Sequence, residues 1–68
     1  MNHIDTIRKQ IEETQVVLRE SQENFVKNPE SYSARLLLMS TENYLADLLR
    51  ELDRAIAELP SKGSSSLS

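Results

Sequence analysis

Sixty-eight residues carrying 8 basic and 11 acidic side chains, one histidine and no cysteine already exclude several kinds of protein. A net charge of −3 argues against generic DNA or RNA binding, which depends on surplus Lys and Arg at phosphates. Without cysteine there is no disulfide, and one histidine is too little for a structural zinc site.

The chain is one domain at most, close to the size at which a lone hydrophobic core is marginal. A stabilising partner is therefore expected, either a second copy or another protein. The longest apolar run, Leu36 to Met39, is far too short to span a bilayer. The first ten residues, MNHIDTIRKQ, lack the apolar centre of a signal peptide. The expectation is a cytoplasmic protein with no membrane contact.

From the N-terminus, Asn2 is a suitable helix cap, and Asp5 stands where a carboxylate faces the amide dipoles of a first turn. Ile4, Ile7, Ile11, Thr14, Leu18, Ser21 and Phe25 then follow at alternating spacings of three and four. Such spacing keeps side chains on one side of a helix. The opposite face carries Arg8, Glu12, Gln15, Arg19, Glu23 and Lys27. This pattern predicts a first helix over about residues 3–27.

Asn28-Pro29 interrupts it. A residue before proline avoids the helical region, while proline itself suits the first position of a new helix. Asn28 can cap that helix, and Glu30 would face its dipole. The segment predicts a tight αα-hairpin. One long helix kinked at Pro29 is the alternative.

The second helix is predicted from about Pro29 to Leu59, residues 29–59. Leucine recurs every seventh residue at Leu38, Leu45, Leu52 and Leu59, with Ala34, Thr41, Leu48 and Ala55 between. Leu37, Tyr44, Leu49 and Ile56 flank this seam. The apolar band is wider than a two-stranded coiled coil needs, so one partner helix cannot cover it. Folding back at the proline sets Leu18 beside Leu38, Ile11 beside Leu45 and Ile4 beside Leu52. Ser21 then lies near Ala34 and Thr14 near Thr41, small or polar layers that let helices approach and can help fix register. Ile56 and Leu59 overhang the start of the first helix. Residues 60–68, PSKGSSSLS, hold five serines among nine residues and no periodic apolar set. They are expected to be a disordered tail or linker.

Candidate chemistry is sparse. His3 has only Asp5 near it in sequence, too few groups for a metal ion or a general base. Glu20 and Glu23, with Glu12 and Glu13 before them, lack the Glu-x-x-His pairing of a di-metal bundle and read as a solvated face. Glu42 flanks the band, where a carboxylate can set register or pair with Arg35 of another chain. Tyr32 and Tyr44 read as edge residues with the hydroxyl at the surface. Arg50 and Arg54 are surrounded by Asp47, Glu51, Asp53 and Glu58, which neutralise any phosphate-binding stripe.

No nucleophile, base and orienting group come together, so neither enzymatic activity nor a cofactor is expected. The expected architecture is all-α: a hairpin of two long helices pairing with a second copy into a four-helix bundle. The interface should comprise Leu37, Leu38, Tyr44, Leu45 and Leu48, continuing through Leu49, Leu52, Ile56 and Leu59. The alternative is a small regulatory binder, an inhibitor or an antitoxin-like protein, docking the same band onto a different protein.

Overall fold

The computed structural model describes residues 3–59, so the expected Asn2 cap and the 60–68 tail lie outside the described residues. Two helices, α1 (His3–Lys27) and α2 (Tyr32–Ala57), fold back on each other as an antiparallel hairpin. Each runs about 38 Å at about 1.5 Å per residue. Neither contains Gly or Pro, and α1 has Asp5 in its first turn and Lys27 in its last, the signs the helix dipole favours.

The reversal is local chemistry. The Asn28 N–H donates to the carbonyls of Asn24 (2.9 Å) and Phe25 (3.2 Å). Its Nδ2 donates to the Asn24 carbonyl (3.1 Å) and to Asn24 Oδ1 (3.0 Å). Asn28 therefore completes α1, with its backbone N–H and side-chain amide both engaged there. The Ser31 N–H then donates to the Asn28 carbonyl (3.0 Å), closing a four-residue turn with Pro29 in the second position, where its fixed φ fits.

The second helix consequently starts at Tyr32, three residues later than Pro29. Ser31 caps it in extended geometry (φ −79°, ψ 118°). Its Oγ accepts from the Ala34 N–H (3.2 Å), and its carbonyl accepts the first helical bond from Arg35 (3.1 Å). Two capping residues compete within four positions, and the serine prevails because the asparagine is already engaged. Glu30 is thereby left ahead of the helix, not inside its first turn. At the far end Glu58 is the C-cap, its N–H bonded to the Arg54 carbonyl (3.0 Å). The helix thus closes at Ala57, two residues short of Leu59. Replacing Ser31 with alanine removes one cap bond and should cost about 1 kcal/mol. A fall in melting temperature of about 4–8 °C is the expected readout for a domain this small.

Ile7, Ile11 and Leu48 form the centre of the hairpin core, with Leu45, Leu52 and Ala55 packed against them. Thr14, Ser21, Ala34 and Thr41 are buried along the same line toward the turn. The threonines do not hydrogen-bond across the helices. Thr14 Oγ1 donates to the Gln10 carbonyl and Thr41 Oγ1 to the Leu37 carbonyl, both at 2.7 Å, and Ser21 Oγ donates to the Leu18 carbonyl at 2.9 Å. Each buried hydroxyl is satisfied by its own helix, and no buried side-chain N or O among the described residues lacks a partner. Any help these layers give to register comes from their shape, because small side chains let the backbones come close.

Candidate interaction surface

The helices meet through the small-residue line, and this decides what remains outside. Ser21 is 2% exposed and Ala34 3%, whereas Leu18, Phe25, Leu38, Leu45 and Leu52 are only half-buried. Large side chains splay to one side of the contact line because the space between the backbones is taken by small ones. By heptad spacing Ile4, Leu18 and Phe25 of α1 fall on the same side of the hairpin as the leucines of α2, in line with buried Ile11, and together they make one apolar face.

The flanks of α2 separate. At about 100° per residue, Leu37 and Tyr44 lie about 120° around the helix from Leu49 and Ile56, on either side of the buried line of Thr41 and Leu48. The four residues expected to line one flank therefore stand on opposite sides of the hairpin. Leu49 (45% exposed) and Ile56 (51%) extend the leucine face, and Met39 joins them at its outer edge, half exposed. Leu37 and Tyr44 look the other way. Leu48, at 4% exposure, is enclosed by Ile7 and Ile11 and presents no surface to a partner. Leu59 is half exposed beyond the end of α2.

On the second side Tyr44 lines an open groove of about 460 Å³ with Val17, Gln10, Glu13 and Ser40, floored by Thr14 and Thr41. The threonine floor is shallow because both helices are narrow at that level. No set of three or more His, Cys, Asp or Glu side chains that could hold a metal ion occurs among the described residues. His3, Glu12, Glu13, Glu20 and Glu23 are all exposed. Glu42 and Arg35 are exposed at the border of the leucine face, each on α2. Tyr32 is largely exposed at the start of that helix. Arg50 pairs with Asp47 three residues away on an exposed surface, an ion pair of little energetic weight. No described helix is long and apolar enough to cross a membrane.

Met39 is the face residue that sequence periodicity passes over. It sits between Leu38 and Ser40, off the three-four repeat, and only its place beside the half-buried leucines brings it in. Its signal in the sequence is the unbroken run Leu36 to Met39, which makes the start of α2 apolar on nearly every side. No family model matches the chain, and no curated protein or solved structure is significantly similar to it.

Proposed function

We propose that this chain is a non-enzymatic self-association module, a hairpin that pairs with a second copy through its leucine face to form a four-helix bundle. The observation that carries the reading is the half-burial of Leu38, Leu45 and Leu52 on the same side as Leu18 and Phe25. In the isolated hairpin these large side chains keep part of their surface in water, although they are the most hydrophobic heptad positions in the chain. Contiguous apolar patches beyond a few hundred Å² mark interfaces in soluble proteins. A two-fold copy is the simplest cover, since a closed symmetric contact uses one face twice.

The hairpin's own core supports the same conclusion. Among the described residues Ile7, Ile11, Ala34 and Leu48 are the buried apolar ones, a small set for a fold that must offset the ordering of some fifty residues. Docking two leucine faces would move Leu18, Leu38, Leu45 and Leu52 into a common interior at each level of the bundle.

A second reading has its own observation. Leu37 and Tyr44 are half exposed on the side away from the leucine face, and a two-fold mate on that face leaves them uncovered. Docking onto a different protein, as a small regulatory binder would, could use that side as well.

Sedimentation equilibrium on the purified chain from low to high micromolar concentration tests the proposal. The expected result is twice the chain mass, with a melting temperature that rises with concentration as mass action requires. A stable, folded monomer at high micromolar concentration would overturn it and leave the hetero-partner reading in place.

A further inference from the structure

Two copies can dock leucine face to leucine face in two ways. With the turns at the same end, each α2 lies against α1 of the other copy. With the turns at opposite ends, α2 lies against α2 and α1 against α1. We infer that the turns lie at opposite ends, an inference that rests on the self-association proposed above and specifies its geometry.

The first argument is the unequal borders of the face. Beyond its central leucines α2 is bordered by Met39, Ala46, Leu49 and Ile56, interrupted by Arg35, Glu42 and Asp53. The border of α1 carries Arg8, Glu12, Gln15, Arg19 and Gln22 and is polar as far as Val26 beside the turn, which is largely exposed. Turns together would set each apolar border against a polar one, twice. Turns apart bring the two α2 borders into one seam and the two α1 borders into another. In the first, Leu49 lies level with the stem of Glu42 of the second copy and Ile56 with the stem of its Arg35, so Leu49 and Ile56 leave water without desolvating Arg8 or Glu12.

The second argument is length. Ile7 packs on Leu48 in the core, so α1 begins at about the level of Leu52, while α2 continues to Ala57. Ile56 and Leu59 project past the last turn that α1 can cover, and both are half exposed. With the turns together, the two projecting ends emerge at one end of the bundle and stay uncovered. With the turns apart and the dyad near Leu45, the two α2 helices overlap along their whole length. The projecting end of one copy then reaches the turn end of the other, over Phe25 and the stem of Arg35. Long basic side chains cover apolar neighbours in this way while the charge stays in water.

The third argument is charge. With the turns together, Arg35 falls level with Arg19 of the second copy and Glu42 level with its Glu12, placing like charges together at four points of the symmetric dimer. With the turns apart, Arg8 falls level with Glu12 of the second copy, and the dyad repeats this favourable pair. Opposed like charges across an interface cost affinity and exclude one of two otherwise similar arrangements.

A spin label at the exposed turn residue Glu30, introduced as E30C, reads the geometry directly in the full chain by dipolar spectroscopy. Fifteen residues of helix on each side of the dyad, at about 1.5 Å each, place the labels about 45 Å apart when the turns are at opposite ends. Turns at one end bring them within about 20 Å, the diagonal of a bundle whose helices lie about 10 Å apart. A distribution centred near 45 Å with a dimeric mass on the same sample is the expected result. A dimeric mass with a distance near 20 Å would overturn the orientation while leaving self-association standing. A monomeric mass with no intermolecular coupling would remove both.

Discussion

Leu48→Glu should unfold the protein at every concentration, an effect that adding protein cannot reverse. Leu48 is 4% exposed and packs on Ile7 and Ile11 in the one place where the hairpin has a dry apolar centre. Among the described residues no buried side chain is basic and able to meet the carboxylate. Loss of the leucine alone is worth about 2–5 kcal/mol, and burying an unpaired charge adds several more. That exceeds what a two-helix unit can spare from a stability of about 5 kcal/mol. Far-ultraviolet circular dichroism is the readout. A helical signal in the variant equal to that of the parent, at low micromolar concentration, would show that Leu48 is not the keystone. Leu45 is half-buried in the hairpin, so a charge there would strike the hairpin and the docking face together and separate them less cleanly.

Leu49→Glu, one residue further, should behave differently. Its side chain is 45% exposed at the border of the leucine face, and the change touches no buried residue of the hairpin. In a two-fold dimer the substitution acts twice, at about 1.5–3 kcal/mol for each leucine withdrawn from an apolar contact. The dissociation constant should therefore rise by about 10²–10⁴, at about 1.4 kcal/mol per tenfold. The dimeric mass lost at low micromolar concentration should return as protein is added, while more helicity survives than in Leu48→Glu. A dissociation constant unchanged within threefold would exclude the border of the leucine face from the interface. The neighbouring pair thus separates folding of the hairpin from pairing of hairpins.

The candidate surface was readable in outline from heptad spacing, but its two sides were not. Leu37, Tyr44, Leu49 and Ile56 are all adjacent to the seam in a linear pattern. Periodicity reports distance from the apolar stripe and does not say on which side of a partner a residue will fall. Once α1 is in place, its axis divides them, so Leu49 and Ile56 stand with the leucines and Tyr44 looks into the threonine-floored groove. Leu48 belongs to the same seam as Leu45 and Leu52, yet it is the one most fully enclosed.

By itself the sequence determined that the protein is two long helices reversing at Asn28-Pro29. Unbroken three-four spacing on both sides of a proline admits little else, since helical periodicity and the exclusion of the residue before proline are local properties of the chain. The first helix, His3–Lys27, owes its C-terminal end to such local signals. Where α2 starts is also local, yet the spacing alone does not select it, because Asn28 and Ser31 are both competent caps and the choice depends on the bonds Asn28 makes back to Asn24. Only the packing of one helix on the other decided which of the two heptad lines is buried. The leucines are the more hydrophobic line, but Ser21, Ala34, Thr14 and Thr41 are the smaller one. Helix backbones approach most closely over small side chains, which turns the larger leucines outward toward whatever covers them.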